Sequence, residues 1–220
     1  MANSTTTVFQ DWDERWRTEM GRIDCLVPDQ EVSLRARAAL DSGPRRSLGL
    51  ACGIGRHALA LADIGLKVNA LDVSQTGSAE VSAIAEKNGL SVSTHIGNRT
   101  KLLLVIGFYD FLKSWNVIYH GDEPALRQAI EEIYRVLCPG GTMLVMMLSK
   151  RNADFGIGRN VSKNLRVHPH AEAGRAHPHY FCDARKVADL FSAFGIRSLV
   201  DLEQRRKPGN GNWHIVTERT

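Results

Sequence analysis

The stretch Leu48-Gly49-Leu50-Ala51-Cys52-Gly53-Ile54-Gly55-Arg56-His57-Ala58, followed by Asp72, carries the clearest chemical signal in the chain. An apolar run ends in a glycine turn that opens a helical pattern. Glycine lets the backbone approach a ligand closely, and a helix start presents free N–H groups. Asp72 closes the next apolar run, where a carboxylate is placed to accept hydrogen bonds from both hydroxyls of a ribose. The pair points to an adenosine-containing cofactor without saying which one.

Two further patterns invite other chemistry. Gly53 to Ala58 satisfy the G-x-G-x-x-A dinucleotide fingerprint, with Asp72 near the expected spacing. Tyr109 and Lys113 form a Y-x-x-x-K, the catalytic pair of short-chain dehydrogenases, but they fall in an aromatic strand run and not on a helix face. His168, His170, His177 and His179, with Tyr180, crowd one segment. Imidazoles are common metal ligands. Pro169 and Pro178 separate them, however, and no carboxylate or thiolate sits at ligand spacing, so exposed loop histidines are expected and no metal. His120, just past a strand, is the candidate general base, with a backbone-satisfying histidine as the plain alternative.

The elements that must position these residues alternate. Short apolar runs at 47–51, 67–72, 91–96, 108–114 and 142–148 enclose helical periods at 56–64, 75–88 and 124–137. Strand and helix in alternation imply crossover connections and a mostly parallel sheet covered on both faces. Ahead of it, Phe9, Trp12, Trp16 and Met20 have helical spacing, and Asp29 is a plausible cap for a helix running to about Leu40. Near the end, Asp183 caps a helix with Val187, Leu190, Phe191 and Phe194 on one face. Strands at 196–203 and 212–218 follow, joined by a glycine-rich turn too short for anything but an antiparallel hairpin. The fold class is α/β, a doubly wound seven-stranded sheet ending in that hairpin. A division follows: 1–43 as a helical cap with residues 1–8 frayed, 44–149 as the cofactor-binding core, 150–182 as a lid or specificity loop, and 183–220 as the closing helix and hairpin.

Composition narrows the class. The 220 residues are 43% hydrophobic and 24% charged, as in an ordinary globular domain. No apolar run reaches about 18 residues, and the N-terminus lacks a secretion pattern. A net charge of +4 is scattered, and its densest spot, Arg205-Arg206-Lys207, is short, so no nucleic-acid or membrane partner is expected. Four separated cysteines suit a cytoplasmic protein with reduced thiols, monomeric or homodimeric.

Taken in order, these motifs resemble the class I S-adenosylmethionine-dependent methyltransferases. LACGIGRHALALADIGLKVNALDVS is similar to their first motif and ribose-binding acid, Tyr109 to His120 to their fourth-strand motif, and Arg135 to Thr142 to the turn into their fifth strand. The branch most resembled is the small-molecule one, akin to tellurite-resistance and thiopurine methyltransferases. The resemblance implies S-adenosylmethionine as cofactor and S-adenosylhomocysteine as product. Ala51, Cys52, Gly53 and Gly55 would border its methionine half, Asp72 would bind the ribose and Val73 would pack on the adenine. Asn98 and the Arg99 backbone would face the adenine edge, with Ser114, Trp115 and Asn116 beneath the cofactor. Tyr119, His179, Tyr180 and His214 would line the substrate side, while Trp12 and Trp16 are read as packing residues.

Departures stand beside it. The family usually has an acid where this chain has Gly49, an aspartate where it has Asn98 and a glycine where it has Ala51; residues 101–107 lack the usual polar turn. The expected function is methyl transfer to a small acceptor through S, a chalcogen, O or N. The rivals are a methyltransferase fold that only binds, and an NAD(P)-dependent oxidoreductase.

Overall fold

Continuous apolar runs become the centre of the sheet. The computed structural model describes residues 8–41, 43, 45–167, 177–203 and 209–220. The expected fraying before residue 8, His168, His170 and the basic spot at 205–207 lie outside them, apart from Val8. The chain runs α1 (Val8–Trp16), α2 (Glu19–Arg22), α3 (Gln30–Asp41), β1 (Arg46–Leu50), α4 (Arg56–Asp63), β2 (Lys67–Asp72), α5 (Gln75–Lys87), β3 (Val92–Ile96), β4 (Tyr109–Ser114), α6 (Glu123–Val136) and β5 (Leu137–Ser149). Three short strands follow, β6 (Arg159–Ser162), β7 (Leu165–Val167) and β8 (His179–Cys182), then α7 (Ala184–Leu190), β9 (Phe194–Glu203) and β10 (Gly211–Arg219). Strand order is β3-β2-β1-β4-β5-β10-β9, parallel through β5 and antiparallel in the final two.

Local chemistry sets the boundaries. Ser74, Asp122 and Asp183 cap α5, α6 and α7 with side-chain oxygens, and Asp29 accepts from the Glu31 amide at 3.1 Å ahead of α3. Each such cap contributes about 1 kcal/mol. The apolar face of α6, Leu126, Ala129, Ile130, Ile133 and Val136, repeats at three and four residues and is buried. The helix expected over 9–20 is split, because Thr18 turns extended and caps α2 through Gly21.

The segment 150–182, expected as a loop, is largely built. β6, β7 and β8 form an antiparallel set. β5 outruns β4, whose pairing with it stops at Val145, and β8 pairs in parallel with its protruding end at Leu148 and Ser149. Since β10 occupies the other edge of β5, β8 stands in line with β4 and directly beyond it.

Ala51 takes φ +45° in the turn after β1, a left-handed value that penalises an L side chain. Its methyl group is therefore strained where the family glycine would not be. Ala51→Gly is expected to raise stability by about 0.5–1 kcal/mol, as relief of about 1–2 kcal/mol of strain exceeds the extra unfolded-chain entropy of glycine. Chemical denaturation checks this, and a lower midpoint would contradict it.

Candidate active site

The carboxyl ends of β1, β2 and β4 open into a cavity of about 220 Å³. Its floor is the turn after β1. Gly53 has φ +55° and Gly55 φ +85°, and both positions are also crowded. A Cβ on Gly53 would lie 2.9 Å from the Trp16 ring, and one on Gly55 2.5 Å from Val81. Gly53 thus lets α1 close over the turn, and Gly55 lets α5 pack beneath it. Gly55 serves packing and does not line the cavity.

Asp72 is buried, and its two oxygens accept from the Gly53 amide at 2.7 Å and the Ser74 amide at 2.8 Å. Burial pushes its carboxyl up, while those two N–H bonds and the nearby Lys113 ammonium pull it back. The Val73 amide also stabilises the charged carboxylate, so Asp72 is ringed by backbone donors from both turns. Ala51, Cys52, Val73, Asn98, Arg99, Trp115 and Asn116 complete the expected residues that line the cavity with Gly53 and Asp72. The Cys52 thiol is pushed up to about 12, mainly by burial, and is no nucleophile. Asn98 Oδ1 already accepts from the Thr100 amide and hydroxyl, both at 3.0 Å, so the oxygen expected to meet an adenine amino group is engaged within its own turn.

Several expected positions lie elsewhere. Ser114 is buried but alternates to the other face of β4 from Lys113 and Trp115, which line the cavity. Tyr180, expected at the substrate, is buried away from the cavity and hydrogen-bonds Glu123 and Asn164. His214 sits behind Trp115, ring centroids 4.6 Å apart. Tyr119 is buried against His120 at 4.4 Å, and neither it nor His179 lines the cavity.

His120 does line it, though with both ring nitrogens engaged: Nε2 with the Asn116 carbonyl at 3.0 Å and Nδ1 with His177 Nε2 at 2.6 Å. Burial, then the neighbouring His179 and His177, holds it well below the usual imidazole range. Such a group is a weak base. His177, expected in an exposed loop, is only 2% exposed.

Four participants were not foreseen. Trp12 and Trp16 roof the cavity as well as packing on each other at 5.4 Å. Asp13 fixes that roof: its carboxylate accepts from Ser74 Oγ at 2.5 Å and from the Thr76 amide at 3.1 Å at the start of α5. Lys113 is buried, lines the cavity and is the register partner of Gly49, so both face the same side of the sheet. The signal was visible as a lysine inside the apolar run Phe108 to Trp115. Lys113 also separates from Tyr109, which lines a depression at the opposite end of the sheet and donates no group to the site. The Y-x-x-x-K pair is therefore dismantled.

Known proteins share the fold that holds this cavity. Residues 48–141 match the family model of the methyltransferase domain. No curated protein matches the chain significantly. The fold is similar to that of the Burkholderia thailandensis 1,6-didemethyltoxoflavin N1-methyltransferase, solved with bound 1,6-didemethyltoxoflavin and S-adenosylhomocysteine, at TM-score 0.76, 15% identity, and coverage of 98% of this chain and 88% of that one. It is also similar to the N-methyltransferase NodS of Bradyrhizobium japonicum with S-adenosylhomocysteine (0.71, 14%, 97% and 98%). TehB of Haemophilus influenzae is similar as well (0.65, 14%, 94% and 67%). The family model spans residues 48–141, from β1 into β5, and the similarity to the solved structures is one of fold.

Burial lowers Lys113 from 10.5 to about 8, which costs about 3 kcal/mol of stability when it is charged. Between those values the unfolded chain holds a proton that the folded chain has released, so stability rises with pH across that window. Lys113→Met is expected to be more stable than the parent at pH 7, with the advantage shrinking as pH climbs from about 8 to 10.5. Thermal melts across pH check it; a pH-independent difference would contradict it.

Proposed function

We propose that this protein transfers the methyl group of S-adenosylmethionine to a small-molecule acceptor in the cytoplasm. The acceptor end is a sulfur, chalcogen, oxygen or nitrogen nucleophile, in the manner of the tellurite-resistance and thiopurine branch. The observation that carries the reading is the donor set of one cavity. Asp72 offers a buried carboxylate for the ribose hydroxyls, Val73 and Leu71 offer apolar wall, and a buried ammonium, Lys113, stands near the glycine turn. Those residues fit the cofactor. When bound, it supplies an electrophilic methyl carbon on a sulfonium.

The chain's residues do the rest. Asp72 would orient the ribose, and Lys113 would pair with the carboxylate of the methionine end, a contact that would make use of a charge otherwise costly in that place. Gly49 leaves no acid beside it to compete. Trp12 and Trp16 exclude water, which suits in-line transfer to a soft or anionic nucleophile, where positioning supplies most of the rate. His120 is better suited to positioning on the acceptor side than to proton abstraction, given its two occupied nitrogens.

The test is calorimetric titration with S-adenosylmethionine, S-adenosylhomocysteine and NAD, followed by turnover with a panel of thiols and phenols. Binding of the sulfur compounds alone is expected. Asp72→Ala and Lys113→Met should each weaken S-adenosylhomocysteine about tenfold or more, the usual cost of a lost charge-assisted hydrogen bond. Binding of S-adenosylhomocysteine with no turnover on any acceptor would favour the purely binding fold. Binding of NAD alone would overturn the proposal.

A further inference from the structure

His120, His177 and His179 form a compact triangle beside the cofactor cavity. Their ring centroids are 4.6 Å (120–177), 4.5 Å (177–179) and 4.9 Å (120–179) apart. One ring nitrogen from each lies within 4.8 Å of the other two. Tetrahedral zinc bonded at 2.0–2.1 Å to imidazole holds its donor atoms about 3.4 Å apart, between the 2.6 Å of the His120–His177 contact and that upper limit. Small ring rotations would seat an ion.

Backbone pairing makes the triangle, which sequence spacing does not. Gly121 N donates to the Pro178 carbonyl at 2.8 Å, Tyr180 N donates to the Tyr119 carbonyl at 2.8 Å, and His120 and His179 form an antiparallel bridge. These bonds clip the start of β8 onto the segment that follows β4. They bring residues 57 positions apart into contact.

The surroundings resemble those of a metal centre. His120 Nε2 meets the Asn116 carbonyl at 3.0 Å, the backbone contact that commonly fixes the tautomer of a ligating imidazole and leaves Nδ1 with its lone pair inward. His177 is 2% exposed, and its Nδ1 is buried with no hydrogen-bond partner among the described residues. Trp12 packs on both His120 and His177, at 5.9 and 6.3 Å. The Arg99 guanidinium hydrogen-bonds the His120 carbonyl and supplies a nearby positive charge. It disfavours a bare cation and favours a cation that carries an anion.

We propose that His120, His177 and His179 bind a divalent transition metal, zinc or a close analogue, with a fourth position open toward the cavity for an anionic sulfur or oxygen of the acceptor. Three neutral nitrogen donors with an open position is the pattern of a catalytic zinc site and not a closed structural one. The acceptor clause rests on the methyltransferase reading; the metal site does not. A thiol or hydroxyl bound there loses its proton to solvent more readily. Its electron pair then forms the bond to the methyl carbon, while the carbon–sulfur bond breaks with its pair left on the cofactor sulfur.

The experiment uses tag-free full-length protein stripped with a chelator and titrated with Co²⁺, followed by its visible d–d absorption. One equivalent should bind with a tetrahedral spectrum, and Zn²⁺ should displace it. His177→Gln and His179→Gln should each lose at least tenfold in affinity, since even outer-shell changes cost 10–100-fold, while His95→Gln on β3 should not. S-adenosylhomocysteine titration of each variant reports whether the fold survives and tests the cofactor site separately. X-ray absorption on the wild-type cobalt protein needs no variant and should give three nitrogen neighbours from imidazole. Absence of stoichiometric binding, equal binding in both histidine variants, or an oxygen-only shell would overturn the proposal.

Discussion

The Asp72 carboxylate accepts from the Gly53 amide on one side and the Ser74 amide on the other, and much of the site is organised around that clamp. It joins the turn after β1 to the turn after β2. A carboxylate without those donors would be costly to bury, and the donors without it would be orphaned. Each turn then anchors something further. Ser74 caps α5 and donates to Asp13, and Gly53 offers a flat surface to Trp16. The cavity roof is held through contacts at both turns.

Charge is distributed around this clamp in an unusual way. Gly49 and Lys113 are register partners on neighbouring strands, so a buried lysine stands beside the position at which the resembled family carries an acid. Sequence alone shows the missing acid at Gly49, and the strand register shows which cation stands on the neighbouring strand. The opposite end of the sheet has its own charge pairing, Arg46 with Asp110 at 2.7 Å, which ties β1 to β4 and plays no part in the cavity.

What was legible in the sequence was local. The glycine turn, Asp72, the caps Asp29 and Asp183, and the order of strands and helices all follow from patterns a few residues long. The strand run ending in Asp72 even has the observed bounds. What was hidden depends on separation along the chain. Asp13 meets Thr76 across 63 residues, and His177 meets His120 across 57. β8 is only four residues, flanked by proline and histidines, and gains strand structure from the protruding end of β5. Alternation along β8 also decides which of its side chains matters: His179 joins the histidine triangle, while Tyr180 turns to Glu123 and Asn164. Ser114 was misplaced for the same reason on β4.

The most direct test is a crystal structure of the complex with S-adenosylhomocysteine. The ribose hydroxyls are expected on the Asp72 carboxylate with the Gly53 and Ser74 amides still bound, the carboxylate of the methionine end at Lys113, and the adenine beside Val73. A ligand seated in the depression at the other end of the sheet, or one whose carboxylate points away from Lys113, would contradict this placement.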